Sequence, residues 1–287
     1  MKNFLVSLLL AALSTSSHAG KFDEQLELAE QGQVNAQFAL GTMYHFGQGV
    51  QQDDKTAVIW YTKAAEQGQV NAQFALGTMY NFGQGVPEND KTAVMWYTKA
   101  AEQGEVNAQY YLGTMYSSGQ GVQQDDKTAV MWYTKAAEQG DAAAQSNLGV
   151  MYANGQGVQQ DYKIAVMWNT KAAEQGDALV QHNLGVMYAN GLGVPENDKT
   201  SVVWYTKAAE QGQAQAQLNL GIIYATGDGV PENDIKSYVW TSMAKANGNE
   251  TAKKNIEILK PMMTKEQIAK AQELAAKCYE SDYKDCN

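Results

Sequence analysis

The chain has 287 residues, with 31 acidic side chains against 21 basic ones and a formal net charge of −10. That balance removes the basic footprint needed for nucleic acid or anionic lipid. Every basic residue is lysine, so the bidentate guanidinium fork of phosphate and carboxylate clamps is missing, which counts against a phosphate-handling enzyme.

Residues 1–19 read as a secretion signal. Lys2 supplies the positive start, residues 4–13 form an apolar run, and Ser17-His18-Ala19 ends in small residues suited to cleavage. Nothing later approaches the roughly 20 apolar residues of a membrane helix, so no membrane insertion is expected. No cysteine follows the predicted cut to carry a lipid anchor. The expected address is a bacterial periplasm, or beyond it by secretion.

A repeat governs the remainder. Trp60, Trp96, Trp132, Trp168, Trp204 and Trp240 recur every 36 residues, as do Gly41, Gly77, Gly113, Gly149, Gly185 and Gly221. The expected organisation is a partial repeat at 20–32, then six full repeats at 33–68, 69–104, 105–140, 141–176, 177–212 and 213–248. A C-terminal partial repeat and capping helix follow at 249–287.

Within one repeat, Ala36, Leu40, Met43 and Tyr44 recur at helical spacing and predict a first helix near 34–45. Gly47-Gln48-Gly49-Val50 makes a turn, Asp53 or an equivalent Asp or Asn caps a second helix, and Gly68 closes that helix. The small residues Gly41, Ala64 and Ala65 let the helices approach, while Trp60 and Tyr44 fill the space between units. One such hairpin cannot bury its apolar face alone, so neighbours must stack. The predicted fold is an all-α, right-handed α-α superhelical solenoid of 36-residue hairpins with a helical C-terminal cap. In that cap Pro261 interrupts the chain, and Thr264 with Gln267 forms a capping box for a last helix through Ala276.

The pattern Ala-x-x-x-Leu-Gly-x-Met-Tyr, Gly-x-Gly-Val, Asp and Trp-Tyr-x-Lys-Ala-Ala-Glu-Gln-Gly, complete in residues 36–68, resembles the Sel1-like repeat, a relative of the tetratricopeptide repeat. The likeness extends over about residues 22–260. Two departures stand out: Asn169 and Thr241 replace the tyrosine that follows the repeat tryptophan. The resemblance implies a non-catalytic adaptor or scaffold that holds another protein or peptide, with a periplasmic immunity or inhibitor protein as the alternative. No cofactor is implied, and the chain is expected to act as a monomer.

Positions that vary between repeats are where a partner can be recognised. In the first helix these are 35, 38, 39, 42, 45, 46 and their equivalents, predicted to form an exposed stripe opposite Ala36, Leu40, Met43 and Tyr44. The early repeats carry Phe38, Thr42, Phe74, Thr78, Tyr110 and Thr114, suited to apolar anchors of a partner. The later repeats carry Asn147, Asn183 and Asn219, suited to hydrogen-bonding an extended peptide or, equally, to bonding a neighbouring turn. The acidic surface favours a basic partner. Gln37 and its equivalents never vary, which predicts a structural hydrogen bond.

Catalytic readings are weaker. Ser242-Met243-Ala244-Lys245 has the Ser-x-x-Lys spacing of penicillin-binding enzymes and β-lactamases, an activity associated with cysteine-rich relatives of this family. Neither Ser-Asp-Asn nor Lys-Thr-Gly occurs, Ser242 aligns with Thr62, and the repeats lack cysteine pairs. Gly47-Gln48-Gly49 joins two helices and lacks the third glycine of a phosphate loop. His45 and His182 lie some four repeats apart, which predicts no metal site. The Asp pairs at 53–54 and 125–126 read as helix-start residues. Cys278 and Cys286 are expected to form a disulfide that pins the last helix.

Overall fold

The computed structural model describes residues 20–286; the leader read at residues 1–19 lies outside them. The described residues contain helices and turns but no strand. Helix α1 covers residues 20–30. It is followed by α2 (Val34–Phe46), α3 (Asp54–Glu66), α4 (Val70–Phe82), α5 (Asp90–Glu102), α6 (Val106–Ser118) and α7 (Asp126–Glu138). Next come α8 (Ala142–Asn154), α9 (Tyr162–Glu174), α10 (Ala178–Ala189), α11 (Asp198–Ala209), α12 (Ala214–Thr226) and α13 (Asp234–Ala246). The C-terminal elements are α14 (Glu250–Leu259), a 3-10 turn (Lys260–Met262) and α15 (Lys265–Glu280). Successive helical hairpins, the all-α solenoid arrangement expected from the repeat, form two compact units. One ends at Asp141 and the other begins at Ala142.

Local chemistry sets the hairpin. Helix α2 stops at Gly47, whose φ of 68° lets its N–H turn back to the Met43 carbonyl. The Asp53 side chain caps α3 by accepting from the Lys55 N–H at 3.0 Å. The Thr56 hydroxyl also donates to Asp53 at 2.6 Å and holds its carboxyl below the usual carboxylate range.

The packing inside a hairpin rests on one contact. In the first unit the rings of Tyr61, Tyr97 and Tyr133 lie flat on Gly41, Gly77 and Gly113, so a Cβ at Gly77 would come within 2.5 Å of Tyr97 Cδ1. The glycine therefore makes room for a ring more than for a second backbone. Tyr97 is fully buried beside Ala93, Val94, Leu112 and Met115, and Trp132 of the next hairpin completes that cluster. Trp96 does the same for the hairpin before it in the first unit, and Trp204 and Trp240 in the second.

The invariant glutamine has the structural role predicted for it. Gln73 Nε2 donates to the Ala65 carbonyl at 3.0 Å, while its Oε1 accepts from Gln103 Nε2 at 2.7 Å. One buried amide therefore ties α4 to the ends of both α3 and α5. The second unit repeats the device: Gln181 donates to Ala173 O at 3.0 Å and accepts from Gln211 at 2.8 Å. Lysines such as Lys99, placed near the negative end of the helix dipole, also lie over the repeat tryptophan, 4.3 Å from the Trp96 ring centroid.

In the second unit Asn169 and Thr241 stand where the tyrosine does elsewhere. Asn169 is buried and donates to Met187 Sδ at 3.4 Å, so a smaller polar group partly refills the place of the ring. The cap differs from expectation in length. Helix α15 continues to Glu280, four residues beyond the predicted end, because Cys278 is buried on α15 and disulfide-bonded to Cys286. Ala275, Cys278 and Cys286 join Val239, Trp240 and Met243 in one apolar cluster, and the Tyr283 hydroxyl donates to Asn247 at 2.9 Å.

Two stability outcomes follow. Gly77→Ala should destabilise the protein by about 1–2 kcal/mol in chemical denaturation, because overpacking against Tyr97 outweighs the better helix propensity of alanine; a neutral or stabilising result would remove the Gly–Tyr contact as a packing limit. Cys278→Ser should cost about 2–3 kcal/mol, the loop-closure value for so short a ring, with amide-exchange protection lost first in α15.

Candidate functional site

The varying positions of the first helices carry the candidate binding surfaces, one on each unit. In the first unit, Phe38, Phe74 and Tyr110 lie against Tyr61, Tyr97 and Tyr133, with ring centroids 5.7, 5.7 and 5.9 Å apart. Thr42, Thr78 and Thr114 donate to the carbonyls of Phe38, Phe74 and Tyr110 at 3.0, 3.1 and 3.2 Å. The same hydroxyls accept from Tyr61, Tyr97 and Tyr133 at 3.2, 3.3 and 3.1 Å.

These contacts correct the expectation of a fully exposed stripe. All six residues are half-buried, because the tyrosine that fills the hairpin extends far enough to hold the side chains at both positions. The aromatic edges that remain accessible are consequently fixed. Tyr111 adds a further ring, stacked on Tyr97 with centroids 5.2 Å apart and planes 6° apart. Burial pushes the Tyr97 hydroxyl well above the ordinary phenol range, so it remains a neutral donor.

The most exposed aromatics on these helices are Phe46 and Phe82, at 64% and 55%. Their positions belong to the varying set, yet composition alone drew attention to the buried partners of tyrosine. The useful signal was a large apolar residue immediately before the left-handed Gly47 and Gly83. Phe38 and Thr42 also line an open hollow of about 650 Å3 together with Lys21, Gln25, Ala39, Met43 and Gln48.

In the second unit Asn183 is exposed, whereas Asn147 and Asn219 are half-buried. His182, at the position of Phe38, joins two of the asparagines. Its Nδ1 lies 3.2 Å from Asn183 Oδ1, and Asn219 Nδ2 lies 3.3 Å from its Nε2. Asn219 also hydrogen-bonds Tyr205. The amide of Asn219 is therefore engaged across neighbouring hairpins. Of the remaining sequence features, Ser242 is half-buried and Lys245 is exposed at the end of α13. His45 is paired with Asp54 at 2.7 Å, so the second Asp of that pair has its own partner. Among the described residues no cluster of three or more His, Cys, Asp or Glu side chains could hold a metal ion, and no helix is long and apolar enough to cross a membrane.

This architecture coincides with a known repeat. The Sel1 repeat pattern matches residues 34–69, 70–105, 106–141, 142–177, 178–213 and 214–249, and the chain belongs to that family. Among solved structures it is similar to c5321, a protective antigen present in uropathogenic Escherichia coli strains. The two are 37% identical with a TM-score of 0.75, over 93% of this chain and 57% of the antigen. This chain thus spans little more than half the length of that relative. A Sel1 repeat protein from Oxalobacter formigenes is 36% identical with a TM-score of 0.66, over 85% of this chain and 97% of that one. No curated protein matches the sequence.

The His182 cluster has a defined pH response. Burial holds the imidazole below its ordinary range, against the opposing effect of Asn183, so the unfolded chain takes up the proton first. The resulting stability is present above about pH 6.5 and is lost as the pH falls through the folded-state value. His182→Phe, which installs the residue found at the equivalent positions 38 and 74, should reduce the loss of thermal stability between pH 7 and pH 5. An unchanged pH profile would remove His182 as its source.

Proposed function

We propose that this chain is a non-catalytic, protein-binding scaffold of the bacterial envelope, and that the varying positions of its first helices recognise the partner. The observation that carries this reading is the aromatic face of the first unit. Phe38, Phe74 and Tyr110 are braced by tyrosines and threonine hydroxyls, while Phe46 and Phe82 stand exposed at the ends of their helices.

Such rings lose little conformational freedom on binding and bury much area, which is the character of interface anchors. The asparagines of the second unit supply polar contacts, with Asn183 the most accessible. The net charge of −10 favours a partner with basic segments. The periplasm is the proposed compartment, supported by the leader pattern in residues 1–19 and by the disulfide between Cys278 and Cys286.

Affinity capture from a periplasmic extract tests this reading. Wild type is compared with a Phe74→Ser, Tyr110→Ser variant; Ser146 already occupies the equivalent position in the fourth repeat. Expected is one dominant protein bound by wild type and lost with the variant at unchanged helicity. Equal capture by both would move the binding surface away from this face.

A further inference from the structure

Helices α12, α13 and α14 enclose a notch of about 170 Å3 lined by Gly221, Ile222, Ser237, Thr241, Asn255, Ile258 and Met262, among others. Its position in the repeat explains it. Gly221 corresponds to Gly77, Thr241 to Tyr97 and Asn255 to Tyr111. In the second hairpin the Tyr97 ring fills this place, lying on Gly77 and stacked on Tyr111. In the fifth, Tyr205 does so between Gly185 and Asn219. In the sixth, Thr241 sets its hydroxyl against Gly221 and is itself buried, so the notch lies above it, walled by Ile222, Asn255, Ile258 and Met262.

We infer that this notch is a binding slot for a phenyl side chain of a protein partner, with a basic residue next to that side chain. The volume suits the ring, since an apolar cavity of about 150 Å3 holds benzene. The hydroxyls at its floor are already engaged, Ser237 donating to the Gly221 carbonyl and Thr241 to the Ser237 carbonyl, each at 2.7 Å, so an apolar ring leaves no donor there unmet. The rim is apolar and open, with Ile258 exposed at 66% and Met262 at 70%.

The neighbouring charge comes from Asp234. Its counterpart Asp54 is paired with His45, and its counterpart Asp90 accepts from Gln120 at 3.0 Å. The position of His45 is Ala225 in this repeat, and Asp234 lines the notch as a half-buried carboxylate. An incoming lysine or arginine supplies the complementary charge. The slot rests on the reading of the chain as a protein-binding scaffold, but it does not depend on the aromatic face of the first unit.

The test uses the intact, disulfide-bonded chain and the probe acetyl-Phe-Lys-amide with a 4-fluoro ring, titrated by fluorine NMR. Saturable binding is expected, weakened about tenfold or more by Thr241→Phe, which fills the slot from within, and by Met262→Asp at the exposed rim; that is the change supported by burial of one phenyl ring. Asp234→Asn should weaken this probe severalfold while leaving acetyl-Phe-Ala-amide unchanged. The Phe74→Ser, Tyr110→Ser variant should bind the probe as wild type does, so loss of partner capture with retained probe binding separates the two surfaces. No saturable binding up to about 10 mM, or equal binding by wild type and the folded Met262→Asp variant, would overturn the assignment.

Discussion

The close seating of a tyrosine ring on a helical glycine determines most of what this protein presents to its surroundings. Gly77 has no Cβ, so Tyr97 can lie on the backbone of α4 and reach through the hairpin. From there its hydroxyl meets Thr78 and its ring meets Phe74 and Tyr111. A core contact thereby braces the residues that line the outer face. Interior packing and surface recognition share one side chain, and a change at Gly77 would act on both.

Much of the fold was legible in the sequence because its determinants are local. The left-handed turns need glycine at 47 and 68, and helix starts need Asp or Asn at 53 and its equivalents; both signals recur in register. The invariant Gln73 also announced its role, since a buried amide that never varies must satisfy a buried partner, here Ala65 and Gln103. The length of α15 was less legible because it depends on the packing of Cys278 in the apolar cluster of α13, a contact between segments far apart in the chain.

The candidate surfaces were read less well for a related reason. Helical spacing places Phe38 and Thr42 on the side away from Leu40, but it does not reveal that Tyr61 projects from the second helix to cover them in part. Phe46 and Phe82 escape that cover because they end their helices. Replacement of tyrosine by Thr241 was visible as a departure from the repeat, yet its consequence depends on what surrounds it. Asn169 is buried and bonded to Met187; Thr241 is also buried, its hydroxyl bonded to the Ser237 carbonyl, but a notch opens above it. The same kind of departure therefore gives a filled core in one hairpin and a surface notch in another.

The glutamine clamp also bears on how such an array can change over evolution. Because Gln73 joins the end of one hairpin to the end of the next through the same atoms used by Gln109 and Gln181, duplication or deletion of 36 residues restores every clamp at the new junction. A gain or loss of any other length leaves amides without partners inside the stack, at the desolvation cost of each unmet group. The clamp thus acts as a reading frame for the tertiary structure. It allows the molecule to lengthen or shorten its recognition surface in whole repeats while selecting against intermediate lengths.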